Sequence, residues 1–153
     1  MIKIERIMVP TDFSDCSKEA LKYGCEFARQ FGAELHLFHV LPDLALIAEP
    51  GLAITPEEYL KELREGTEKA MQEFMDEEMG KGLTIVREIT EGVPFVEIIR
   101  YARDKGIDMI VIGTHGRTGI AHVLLGSVAE KVVRKAPCPV LTVRPDQHEF
   151  VMP

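Results

Sequence analysis

The residues best placed to do chemistry in this chain are small ones. Gly113-Thr-His-Gly116-Arg-Thr-Gly119 follows an apolar run, and Gly126-Ser127-Val128 comes shortly after it. Glycine at 113, 116 and 126 allows positive φ and lets the backbone approach a ligand without side-chain obstruction. Such a loop offers peptide N–H groups to phosphate oxygens. A helix opening at Gly126-Ser127-Val128 would add unpaired N–H groups and the positive end of its dipole, an anion site whatever the net charge. Ser127 can add a hydroxyl, Arg117 a charge, and His115 a ring nitrogen between the glycines. A single glycine would mean no more than a turn; the spaced set argues for phosphate binding. Pro10-Thr11-Asp12 ends an earlier apolar run and brings a hydroxyl and a carboxylate, with Asp12 open to two readings, ligand contact or helix start.

The remaining reactive side chains point to structure. His36 and His39, three apart on a strand, face opposite sides of a sheet, so they are core-edge residues and not a metal pair. His122 and His148 read as solvated or structural. Cys16, Cys25 and Cys138 are odd in number and lack C-x-x-C spacing, which suggests reduced thiols, Cys138 being a small buried hydrophobe between prolines.

The elements that must position these residues alternate strand with helix. Arg6–Pro10 predicts a first strand, and a helix begins near Ser14. Its Leu21, Gly24, Cys25, Ala28 and Phe31 recur at three and four, and Gly32 stops it. Glu34–Val40 is a second strand with Leu35, Leu37 and His39 on one face and His36, Phe38 and Val40 on the other. Leu41–Ile54 is too apolar for an ordinary solvated loop and should be covered. Thr55-Pro-Glu-Glu58 is a capping box opening a helix to about Met79, with Leu60, Leu63, Thr67, Ala70, Met71 and Phe74 inward. Leu83–Ile89 is the third strand. The helix after Gly92-Val-Pro94 should turn Val96, Ile99, Ala102 and the stem of Arg103 inward and end at Gly106. Asp108–Gly113 is apolar enough for a strand buried on both faces. A helix over Ser127–Lys135 and a strand over Val140–Arg144 complete the order βαβαβαβαβ.

Five strands and four helices predict an open, parallel α/β sheet, Rossmann-like, with helices on both faces, and the order taken for it is 3-2-1-4-5, which makes strands one and four neighbours. One domain over residues 1–145 is expected, with 146–153 a loosely held tail. Ligands of such sheets bind beyond the carboxyl ends of strands, where neighbouring connections leave in opposite directions. With strands one and four adjacent, Pro10–Asp12 and Gly113–Val128 face each other across that crevice.

Bulk composition sets the outer bounds. The 153 residues are 46% hydrophobic and 28% charged, as in one globular domain. Eighteen Lys plus Arg against 25 Asp plus Glu give a net charge of -7, which disfavours a broad nucleic-acid footprint but not one local phosphate site. No apolar run approaches the roughly 20 residues that span a bilayer, and the start does not resemble a signal peptide, so the expectation is a cytoplasmic protein without membrane contact.

The spacing Gly113-x2-Gly116-x9-Gly126-Ser127 resembles the G-2x-G-9x-G-[S/T] nucleotide motif of the ATP-binding branch of the universal stress proteins. Val9-Pro-Thr-Asp12, His39-Val40 and Ala136-Pro-Cys-Pro-Val-Leu-Thr-Val-Arg144 extend the likeness over nearly the whole chain. The resemblance implies ATP as ligand. Pro10, Thr11 and Asp12 would lie near ribose and adenine, Val40 would meet the adenine edge through its backbone, and Ile112 and Gly113 would line the nucleoside. His115, Gly116, Arg117, Gly126, Ser127 and Val128 would approach the phosphates, whose oxygens would themselves hold most of any Mg2+ or Mn2+. It also implies a homodimer joined through Val140–Val143, consistent with an apolar sheet edge that needs covering.

Three functions follow as alternatives. The preferred one is a stress-response or signalling module that binds ATP with little or no fast catalysis, since neither a G-x4-G-K-[ST] loop nor an acidic pair to hold Mg2+ and aim water is visible. The second is a slow ATPase or other ATP-consuming enzyme. The third is a dimerisation adaptor with a vestigial pocket. An unknown protein partner is compatible with the first and third.

Overall fold

The computed structural model describes residues 1–43, 55–116 and 125–144. Strands β1 (Arg6–Pro10), β2 (Glu34–Leu41), β3 (Ile85–Glu91), β4 (Met109–Gly113) and β5 (Val140–Val143) form one parallel sheet in the order β3-β2-β1-β4-β5. The helices are α1 (Asp15–Phe31), α2 (Pro56–Phe74), the single-turn α3 (Glu77–Gly80), α4 (Pro94–Asp104) and α5 (Ser127–Lys135). The expected open α/β architecture and strand order are those observed.

Alternation along the strands divides the core in two, as a sheet covered on both faces requires. Ile7 and Val9, Leu35 and Leu37, and Val111 pack under α1 and α2 with Leu21, Cys25 and Met71. Met8, Phe38, Ile110 and Ile112 pack on the other side under α4 and α5 with Ile98, Ala102 and Val132. At Gly24, α1 lies so close to β1 that a Cβ would stand 2.5 Å from Val9 Cγ2. We therefore expect Gly24→Ala to cost about 1–3 kcal/mol by overpacking, read as a lower urea midpoint at unchanged slope.

Local chemistry sets the helix ends. Ser14 caps α1 by accepting the Ser17 amide, and Gly32 closes it at φ 65. Thr55 and Glu58 form the reciprocal capping box at α2. Two helix readings need correction. The helix expected to reach Met79 stops at Phe74, because the Asp76 carboxylate accepts the Met79 amide at 2.8 Å and starts α3. The apolar period runs through this break since Met75 and Met79 both still face the core. In α4, Ile98 and Ala102 are the buried pair, flanked by Phe95 and Tyr101, whereas Val96 and Ile99 are only half-buried and Arg103 is exposed. Ala102 is inward as expected, while the centre of the inward face is turned by one residue, about 100° of helix, from Ile99 to Ile98. The third strand also starts two residues later than expected. Most of the Leu41–Ile54 segment, and the 146–153 tail, lie outside the described residues.

Under α4, His36 is buried with Nδ1 2.8 Å from the Tyr101 hydroxyl and Nε2 2.7 Å from Glu34 Oε1. Burial first, then the charges of Glu88 and Glu34, push the Tyr101 phenol up to about 12. An unfolded tyrosine ionises near pH ~10, so between these values the native state holds a proton that the unfolded state has lost. The stability that this contributes is complete below the lower value and is lost as pH rises through the upper one. Alkaline denaturation followed by circular dichroism should show that limb, and Tyr101→Phe should flatten it.

Candidate functional site

The site is built where β1 and β4 end side by side, their register pairing Met8 with Ile110. From these ends the chain leaves in opposite directions, toward α1 on one face and α5 on the other, and a cleft of about 620 Å3 opens between the two connections. Pro10, Thr11, Asp12, Val40, Ile112, Gly113, His115, Gly116, Gly126, Ser127 and Val128 all line it. Of the residues expected there, Arg117 lies outside the described residues, as do Gly119 and His122. The cleft also has walls that sequence reasoning missed: Ser17, Phe38, Pro94, Ile98, Thr114 and Ala129. Phe38 shares a strand face with Val40 and was legible in that alternation. Pro94 and Ile98 carry no local signal, because only the packing of α4 over the sheet brings them in. His39, read from sequence as a core-edge residue, lines the cleft too.

The glycines serve the site differently from the sequence expectation. None of Gly113, Gly116 and Gly126 has positive φ; in the described residues that conformation belongs to Gly32, Gly82, Gly92, Gly106 and one non-glycine, Phe13. Each of the three is small because something touches it. A Cβ on Gly113 would stand 2.8 Å from Cys16 Sγ and 3.1 Å from the Cys16 carbonyl oxygen, so this glycine seats α1. One on Gly116 would stand 2.7 Å from Asp12 Oδ2, which places the two loops in contact across the cleft. One on Gly126 would stand 2.9 Å from the Thr114 carbonyl oxygen. That carbonyl accepts the Gly126 amide, and the Thr114 amide is given to Val143. The donors of the loop therefore shift C-terminally: Gly126 spends its N–H on the turn, while Ser127 and Val128 open the first turn of α5.

Helix α5 has Gly126 as its N-cap, and among the described residues no side-chain hydrogen bond caps it. The first-turn residues Ser127 and Val128 line the cleft, and a helix start of this kind attracts anions. Opposite, Thr11 is buried with its hydroxyl 2.9 Å from Ser17 Oγ and accepting the Phe13 amide at 2.9 Å. Asp12 Oδ1 accepts the Ser14 amide at 3.0 Å, so Asp12 both shapes the helix start and lines the cleft. His115 Nδ1 lies 2.8 Å from Thr114 Oγ1. Phe38, Val40, Pro94, Ile98 and Ile112 supply an apolar wall, the surface that a flat heteroaromatic ring would need. Among the described residues no group of three His, Cys, Asp or Glu side chains is placed to hold a metal ion. Nor is any described helix long and apolar enough to cross a membrane.

Sheet order and cleft together define a doubly wound α/β protein whose crevice lies at the topological switch point. The model of the universal stress protein family matches residues 3–144, and the chain belongs to that family. It is 40% identical over 148 residues to universal stress protein MJ0531 of Methanocaldococcus jannaschii, covering 95% of this chain and 85% of that one. The solved structure of MJ0577 from the same organism superposes with a TM-score of 0.82 at 32% identity, over 96% of this chain and 100% of that chain. A universal stress protein from Archaeoglobus fulgidus in complex with dAMP superposes with a TM-score of 0.61 at 25% identity, over 94% and 99% of the two chains.

Proposed function

We propose that this universal stress protein binds ATP in the switch-point cleft and works as a nucleotide-dependent stress-response or signalling module, without fast catalysis. The observation that carries the reading is the start of α5, which no described side chain caps, lining an apolar-walled cleft of about 620 Å3. One end of that space suits phosphate and the other a purine. The dAMP complex of the Archaeoglobus fulgidus relative supports an adenine nucleotide as the ligand class. In this reading Pro10, Thr11, Asp12, Val40, Ile112 and Gly113 surround the nucleoside. His115, Gly116, Ser127 and Val128 line the phosphate path, Gly126 shapes it, and Arg117 adds its charge. Any Mg2+ or Mn2+ is carried mainly by the phosphates, and the compartment is the cytoplasm. Main-chain groups that grip ground state and transition state alike give affinity without rate.

The edge strand β5, with Thr142 exposed and Val140 and Leu141 half-buried, favours a homodimer paired through Val140–Val143. Nucleotide binding and pairing are compatible, because the cleft opens at the strand ends and not along this edge.

Native mass spectrometry of protein purified without added nucleotide, followed by calorimetric titration with ATP, tests the reading. Retained or titratable adenine nucleotide on a dimeric mass is expected. An intact dimer that binds no ATP near millimolar concentration would favour an adaptor with a vestigial pocket. Single-turnover hydrolysis is expected to be slow; turnover at several per second, abolished by Ser127→Ala, would instead make the protein an ATPase.

A further inference from the structure

We infer that His39 is a positioning residue of the cleft: its imidazole takes the Thr11 carbonyl and so leaves the Val40 amide for the base of the bound nucleotide. The argument begins with the ladder between β1 and β2. Pro10 pairs with Phe38, and the Thr11 amide continues the ladder by donating to the Phe38 carbonyl at 2.8 Å. In a parallel pair the next rung would run from the Val40 amide to the Thr11 carbonyl. That rung is replaced. His39 Nδ1 stands 2.6 Å from the Thr11 carbonyl oxygen, and since a carbonyl only accepts, Nδ1 carries the proton. No backbone bond joins the Val40 amide to that carbonyl among the described residues.

The imidazole is held for this task. Phe13 lies over it with ring centroids 4.7 Å apart, and Phe74 meets Phe13 edge-on at 5.4 Å. Phe13 is also the one described non-glycine residue with positive φ, at 64°, a costly backbone conformation for a bulky side chain. Strain at this turn brings an aromatic ring over His39 while Asp12, one residue earlier, lines the cleft. The consequence is chemical. A side chain ends the ladder one rung early, and the main-chain donor thus released sits in the cleft wall, where a ring nitrogen of a purine can accept it.

The inference rests on the proposed nucleotide site, and its test separates the two. His39→Asn keeps an N–H near the place of Nδ1, whereas His39→Gln carries its amide farther out and His39→Leu carries none. Adenosine and ATP affinities are expected to fall together by about five- to tenfold in His39→Gln and His39→Leu, the effect of one hydrogen bond, and to return in His39→Asn. A purely structural role would not discriminate Asn from Gln. In nucleotide-free protein, amide hydrogen exchange at Val40 should slow in His39→Leu, or in His39→Gln if the leucine variant fails to fold, as the missing rung forms. Wild-type protein that binds neither adenosine nor ATP would refute the nucleotide site, and the exchange at Val40 would then decide the ladder argument alone. Wild-type binding with equal affinity in all three variants, or equal loss in His39→Asn and His39→Gln, would overturn the role of His39.

Discussion

Gly126→Val is expected to weaken ATP binding by about 1–3 kcal/mol, a factor of about 5 to 150, while weakening adenosine binding much less. The cause is local. A Cβ at this position would stand 2.9 Å from the Thr114 carbonyl oxygen, a backbone atom that no rotamer change can move aside. The same carbonyl accepts the Gly126 amide, so relieving the clash breaks the turn that aims α5 at the cleft. The Ser127 and Val128 amides then swing from the phosphate path, and the base end, built on β1, β2 and α4, is left in place. Calorimetric titration with both ligands measures the difference. Equal ATP affinity in the variant and the wild type would count against the placement of the phosphates.

Gly113→Ala and Gly116→Ala, two changes in one motif, should separate stability from binding. At Gly113 the new methyl meets Cys16 Sγ at 2.8 Å and the Cys16 backbone at 3.1 Å, with α1 behind them. We expect a loss of about 1–3 kcal/mol, with the melting temperature falling by about 2–4 °C per kcal/mol in a chain of this size. At Gly116 the methyl meets the far end of the Asp12 side chain, which can rotate away. Stability should then fall by no more than about 1 kcal/mol, the worth of the Asp12–Ser14 hydrogen bond given up, while nucleotide affinity falls because the carboxylate has left its place in the cleft. Thermal melts and titrations on both variants make the check. Equal melting temperatures would show that α1 can yield at Cys16, and an unaltered affinity in Gly116→Ala would remove Asp12 from the ligand contacts.

Much of the positioning frame was legible before any coordinates. The Thr55–Glu58 capping box, the Ser14 cap and the Gly32 stop are interactions between residues three to five apart, so spacing alone implies them. The sides taken by Leu35, Leu37, Phe38 and Val40 follow from a period of two, and a parallel sheet covered on both faces follows from alternating elements with right-handed crossovers. The cleft was readable for the same reason: strand ends are countable, and a switch point gathers whatever follows them.

Apart from the local cap at Asp76, what failed was inference that required knowing a neighbour distant in the chain. The phase of α4 could not be chosen between Ile98 and Ile99, because both are apolar and only the sheet beneath selects one. The break at Asp76 was hidden by methionines that keep facing the core on either side of it. Pro94 and Ile98 joined the cleft through packing alone.

The amino-acid sequence by itself determined the order of elements and which segments meet at the switch point, since these depend on local hydrogen bonds and on hydrophobic period, while its spaced glycine motif carried the resemblance to the family. Tertiary structure alone decided why Gly113, Gly116 and Gly126 must be small and which amides still face the cleft. The reason is steric: a missing side chain permits left-handed backbone and close contact equally, and only the identity of the touching atom, Cys16, Asp12 or the Thr114 carbonyl, tells which freedom is used.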